Sequence, residues 1–197
     1  MLTSLINLDQ RITDWFYGGR VLPGAWENIL YSLASVFIYA LPVILLVLFF
    51  RNYRDRLNSI KIFLAVVITW QIITKYLGTF LYNTYGFRDR PFAEYSSVKE
   101  FLFEQPTKAF PSDHSAVIMV VALSLFGYKY PRLAWPFLIL GLTSSLARVV
   151  IGFHYFGDVV GGWLIGAAVA GLFYLLDKHL DKGLLKIAFF KKYLPKK

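Results

Sequence analysis

Apolar positions along this chain gather into five long runs divided by more polar loops. Residues 28–50 pass without a single charge, and a second run covers about 60–82, interrupted by Lys75. Further runs follow at about 112–128, 133–153 and 158–176, of which the first is the shortest. A bilayer-crossing helix needs roughly 20 such residues. The pattern therefore predicts an all-α, polytopic bundle of transmembrane helices with five spans. Residues 1–20 read differently. Leu2, Leu5, Ile6, Leu8, Ile12, Trp15, Phe16 and Tyr17 alternate with Asp9, Arg11 and Asp14. That mixture predicts an amphipathic helix lying at the interface, with Trp15 and Tyr17 at headgroup depth. The alternative is a sixth, short span. These residues also lack the basic start and unbroken apolar stretch of a cleavable signal peptide.

Basic residues orient the bundle. Loop 51–61 carries Arg51, Arg54, Arg56 and Lys61, loop 129–132 carries Lys129 and Arg132, and the tail from 178 to 197 is rich in lysine. With five spans, all three lie on one side, which the excess of Lys and Arg makes cytoplasmic. The N-terminal helix, loop 83–111 and the turn near His154 then face the other side. Loop 83–111 is too long for a passive connection. Val98, Phe101, Leu102 and Gln105 have helical spacing within it, which predicts a short interfacial helix. Gly162 with Gly166, and Ala167 with Gly171, form small-residue pairs that let a helix approach its neighbour closely.

Composition supports this organisation. Of 197 residues, 57% are apolar and 17% charged, against roughly half and a quarter in soluble domains. The excess belongs to membrane spans, and the length suits one domain covering residues 1–197. The net charge of +9 fits nucleic acid or an anionic membrane surface. The apolar content selects the membrane and sets nucleic acid aside. With no cysteine, disulfide and thiolate chemistry are excluded.

Three segments on the non-cytoplasmic side concentrate ionisable groups: Arg88-Asp89-Arg90-Pro91-Phe92, Phe110-Pro111-Ser112-Asp113-His114, and the stretch from Arg148 through His154 to Asp158. Two of the chain's three histidines fall in them. Singly, each has an ordinary reading: a snorkelling arginine, a turn at Arg90-Pro91, or a helix cap at Asp158. Together they form a candidate site, because ionisable groups at span ends are functional candidates. Arg90 and Arg148 offer planar forks for a phosphate. Ser112 and the backbone N–H groups near Asp113 stand where a helix begins, a ready anion site. Zinc on His114, His154 and Asp158 is conceivable, but the neighbouring arginines would repel a cation.

These segments resemble the signature of the type 2 phosphatidic acid phosphatase superfamily, which has the pattern K-x6-R-P, then P-S-G-H, then S-R-x5-H-x3-D. Arg90-Pro91 ends the first motif, Pro111, Ser112 and His114 match the second, and Arg148, His154 and Asp158 match the third with its spacing. Three positions depart: Asn83 replaces the lysine, Asp113 the glycine, and Ala147 the serine. The P-S-D-H form beside R-x-R-P-F is similar to the undecaprenyl-pyrophosphate phosphatase branch. Arg88 is a candidate to replace the lost lysine charge. Lys75 shares a helical face with Asn83 but lies about 12 Å deeper, and reads as structural or snorkelling.

The resemblance implies a multi-pass enzyme of the bacterial inner (plasma) membrane, acting at the extracytoplasmic face. It implies hydrolysis of a lipid phosphate or pyrophosphate, undecaprenyl pyrophosphate first. Phosphatidylglycerol phosphate, phosphatidic acid and lipid A phosphates remain as other substrates of the same family. It implies His154 as a nucleophile that forms a phosphohistidine, Asp158 as the group orienting it, and His114 as general acid. Arg90, Arg148, Ser112, Asp113 and Arg88 surround the phosphate, with no metal or other cofactor. The competing class is a non-enzymatic membrane transporter or scaffold whose motif residues are interfacial anchors.

Overall fold

A computed structural model of the chain describes residues 2–18, 24–86, 88–94 and 108–186. It is an all-α polytopic bundle. Two long helical runs follow an N-terminal helix. Gly24–Arg51 comprises α2 (Gly24–Val36), a 3-10 turn at Phe37–Tyr39 and α3 (Ala40–Arg51). Tyr53–Tyr85 comprises α4 (Tyr53–Val67), a π-helical stretch at Ile68–Thr74 and α5 (Lys75–Tyr85). After the short α6 (Pro91–Glu94) come α7 (Asp113–Gly127), α8 (Pro131–Val150), α9 (Phe156–Leu175) and α10 (Asp177–Lys186). The two long runs, α8 and α9 are each long and apolar enough to cross a membrane.

The third expected span, α7, is the centre of the bundle. Its 15 residues extend roughly 22 Å at 1.5 Å per residue, short of the roughly 30 Å hydrocarbon core. Nine of them are buried, because α7 is apolar on all sides and packs against α4, α8 and α9. Gly162 and Gly166 bring α9 onto it. A Cβ at Gly166 would lie 2.3 Å from the Ala116 carbonyl oxygen, and one at Gly162 would lie 2.6 Å from that of Ser112. The second expected pair does not work this way, since Gly171 faces open space. The outer surface is a belt of exposed apolar side chains, including Val47, Phe50, Phe63, Phe80, Trp135, Ile139, Leu164 and Leu172, as a lipid-facing wall requires.

The N-terminal helix α1 (Leu2–Phe16) is the expected amphipathic element, and it is tied to the bundle. Thr13 Oγ1 accepts from Phe156 N at 3.1 Å, and Asp9 Oδ1 accepts from Gly157 N at 2.6 Å. These side chains satisfy amide groups that open α9, which have no partner within their own helix. Tyr17 packs on Gly152, whose φ is +77° and where a Cβ would lie 2.7 Å from the ring. The interfacial helix expected around Val98, Phe101, Leu102 and Gln105 lies outside the described residues, as does the tail beyond 186.

At the opposite end of the bundle, Lys61 is fully buried. Its ammonium bonds Asp177 and, at 2.9 Å, Asp181, and lies 4.7 Å from the Tyr128 ring centroid. Asn58 donates to Tyr130 Oη at 2.9 Å. This polar cluster fastens α10 under α4 and keeps the basic loops at the end away from His154.

Candidate active site

The three motif segments converge at one end of the bundle. Arg90, Pro111, Asp113, His114, Arg148 and His154 line one cavity of about 570 Å³. Its remaining wall is Lys108 and a set of largely apolar residues from the two long runs: Ile38, Tyr39, Leu41, Pro42, Val66 and Trp70, joined by Val117 of α7. Both irregular turns of those runs contribute, Ile38 and Tyr39 from the 3-10 turn and Trp70 from the π-helical stretch. Interruptions of this kind often mark functional positions.

His154 is buried between α8 and α9. Arg148 lies in the last turn of α8, and its carbonyl accepts from Phe153 N at 2.8 Å, closing the turn that carries the histidine. The ring is oriented by the backbone: Nδ1 lies 2.8 Å from the carbonyl oxygen of Ala109. A carbonyl only accepts, so Nδ1 bears the proton. Nε2 is then the basic nitrogen, and it stands 3.5 Å from Arg90 Nη1. Arg90 is anchored by its other contact, Nη1 to the Phe153 carbonyl at 3.3 Å. Arg148 is 1% exposed. It donates to the Ala34 carbonyl at 3.0 Å and packs 5.1 Å from the Phe153 ring centroid.

Asp158 was expected to hold the His154 ring directly. Its Oδ2 lies 3.7 Å from Nδ1, beyond hydrogen-bond length. That oxygen accepts instead from Tyr155 N at 2.8 Å, and Oδ1 accepts from Arg88 Nη2 at 3.0 Å. The carboxylate thus caps α9 and contributes charge, while Ala109 sets the ring. Arg88, expected among the phosphate contacts, reaches away from the cavity. It bridges Asp158 and Asp9 and stacks 3.5 Å over the Tyr155 ring. Burial alone would lower its proton affinity, but the charges of Asp158 and Asp9 outweigh that and hold it above the ordinary arginine value.

Ser112 is buried and stands outside the cavity wall. Its N–H donates to the Asp158 carbonyl at 3.1 Å, and its hydroxyl accepts from Ser115 Oγ at 3.0 Å. It joins the starts of α7 and α9, so that His114 and His154 face one space. Asp113 does line the cavity, with Oδ1 buried and without a hydrogen-bond partner among the described residues. Asn83 and Lys75 are exposed, and neither lines the cavity. Sequence reasoning missed Asp9, Thr13, the Ala109 carbonyl and Lys108. No short motif marks them, because each acts through packing set elsewhere in the chain.

A pocket with two imidazoles and two guanidiniums, opening onto apolar walls inside a polytopic bundle, has the charge and the nitrogen bases that a membrane phosphatase requires. The sequence comparisons agree. Residues 61–181 match the PAP2 superfamily, and the chain belongs to it. Among curated relatives, undecaprenyl-diphosphatase BcrC of Bacillus subtilis is 25% identical over 149 residues, 75% of this chain and 73% of that protein. An undecaprenyl-diphosphatase of Sulfolobus acidocaldarius is 28% identical over 137 residues, 67% of this chain and 60% of that protein. No solved structure matches. The protein is a phosphatase, a hydrolase of phosphoric esters or diphosphates.

Proposed function

We propose that the protein removes the terminal phosphate of a polyprenyl diphosphate, undecaprenyl pyrophosphate first, at the extracytoplasmic face of the plasma membrane. The observation that carries this reading is the ring of His154. Its Nδ1 proton is held by Ala109, so Nε2 is left basic beside Arg90 in a cavity whose other wall is apolar. The apolar wall suits a lipid chain, and the arginines suit the phosphoryl oxygens that carry charge in the transition state. The names of the relatives support the diphosphate. The Lys- and Arg-rich loops at the far end of the bundle support an outward-facing site.

In this scheme His154 Nε2 attacks the terminal phosphorus while the bond to the bridging oxygen breaks. His114 gives its proton to that oxygen, and lipid monophosphate leaves. Water, giving a proton to His114, then attacks the phosphohistidine; the P–N bond breaks and inorganic phosphate is released. Arg90 and Arg148 hold the phosphoryl group, and Asp158 stabilises the charge on the His154 ring. The test is a single turnover with substrate labelled in the terminal phosphate. Label bound to protein, stable in base and labile in acid, is expected in the unaltered enzyme and absent from His154→Asn. Turnover by His154→Asn at the unaltered rate would overturn the scheme. Parallel assays with phosphatidylglycerol phosphate and phosphatidic acid, with chelator present, test the substrate.

A further inference from the structure

We infer that Lys108 is a substrate-specificity residue whose ammonium engages the second phosphoryl group of a diphosphate, the one that stays on the lipid. The inference deepens the proposed function and rests on it. Lys108 lines the cavity together with His114, His154, Arg90 and Arg148. Unlike the arginines, it forms no hydrogen bond or ion pair among the described residues, and it is only partly buried. A cation placed in a cavity with no fixed partner is available to an incoming anion.

Its position is built. The backbone of Lys108 is left-handed, φ 60°, a region that residues with a Cβ seldom occupy. The side chain then runs across Gly78 of α5. A Cβ at Gly78 would lie 2.2 Å from Lys108 Cε and 2.8 Å from the Phe110 carbonyl oxygen. Only glycine leaves room there for both the lysine stem and the strand of chain that carries it. The next residue, Ala109, supplies the carbonyl that orients His154. The lysine and the proposed nucleophile are therefore fixed by one short segment.

The cations also enter from different walls. Arg90 is anchored to the His154 turn through Phe153, and Arg148 to α2 through Ala34. Lys108 enters beside Gly78 of the second long run, which also contributes Val66 and Trp70 to the cavity. The two arginines match the phosphoryl group at His154. A diphosphate carries further negative charge on its second phosphoryl, and among the described residues Lys108 is the remaining cation of the cavity wall for it. The lysine that is absent at Asn83, an exposed position of α5, has no counterpart there; the extra positive charge comes from Lys108, in the segment that leads into α7.

The test compares Lys108→Met and Lys108→Arg with the unaltered protein on polyprenyl diphosphate and polyprenyl monophosphate. Losing one charge-assisted contact should lower kcat/KM for the diphosphate by roughly 10- to 100-fold. The monophosphate should change by less than about 3-fold, and Lys108→Arg should keep most of the diphosphate activity. Equal losses on both substrates, or no loss on either, would overturn the inference. A second arm needs no turnover: thermal stabilisation by inorganic pyrophosphate against inorganic phosphate. The unaltered protein should favour pyrophosphate, and Lys108→Met should lose that preference while keeping its response to phosphate. If the unaltered protein hydrolyses neither lipid, the proposed function fails, and the pyrophosphate arm still decides the role of Lys108.

Discussion

The Nδ1 atom of His154 is 2.8 Å from the Ala109 carbonyl oxygen and 3.7 Å from the Asp158 carboxylate. A backbone acceptor therefore fixes the tautomer, and the carboxylate acts at one remove. Where a carboxylate alone sets the tautomer of a catalytic histidine, replacing it by its amide costs about 10⁴-fold. Asp158→Asn should cost less here, about 10- to 100-fold in kcat, with the remaining loss electrostatic. Steady-state kinetics on the lipid diphosphate measure this. A loss near 10⁴ would mean that the carboxylate, and not Ala109, governs the ring.

Arg88 ties that carboxylate to α1. It bonds both Asp158, which is fully buried, and Asp9, which also accepts from Gly157 N. Groups that share one network couple by about 0.5–3 kcal/mol. A cycle of Arg88→Met, Asp9→Asn and the double variant, followed by unfolding in detergent, should show coupling in that range. Asp9→Asn keeps an acceptor for Gly157 and so isolates the ionic part. Additive effects would show that α1 lies on the bundle without supporting the site.

The glycines of α9 give paired expectations. A methyl group at Gly166 would meet the Ala116 carbonyl oxygen and Val120 N, backbone atoms that cannot step aside. Gly166→Ala should destabilise by about 1–3 kcal/mol, the usual effect of overpacking. At Gly171 nothing lies within 4 Å, and alanine is the better helix former by up to about 1 kcal/mol. Gly171→Ala should be neutral or stabilising. Melting temperatures in one detergent compare the two directly.

Much of this was legible because membrane sequences separate apolar and polar positions so sharply. Long apolar runs marked the spans, and the spacing of Arg148, His154 and Asp158 placed chemistry at helix ends. The pairing of Gly162 with Gly166 was visible, but which small-residue pair faced α7 was not, since both have the same spacing. Arg88 was misplaced for a physical reason: sequence shows a charge near a site but not the partner that captures it, and Asp9 lies 79 positions earlier. Lys108 was hidden for the converse reason. Its place depends on a left-handed backbone and on the missing side chain of Gly78, and neither belongs to a motif.

The two histidines carry opposite requirements, and this sets the pH dependence. His154 reacts only while Nε2 is unprotonated, so activity falls on the acid side. His114 must hold a proton for the leaving oxygen, so activity falls on the basic side, and kcat/KM should be bell-shaped. The two limbs separate by leaving group. An aryl phosphate with an acidic phenol needs little help in departing, so His114→Gln should still phosphorylate His154 from it. Lacking a base for water, the variant should then stall, releasing a burst of phenol stoichiometric with enzyme and little more. With a lipid diphosphate it should release almost nothing. A burst in His154→Asn, or full turnover of the lipid by His114→Gln, would reassign the acid and the nucleophile.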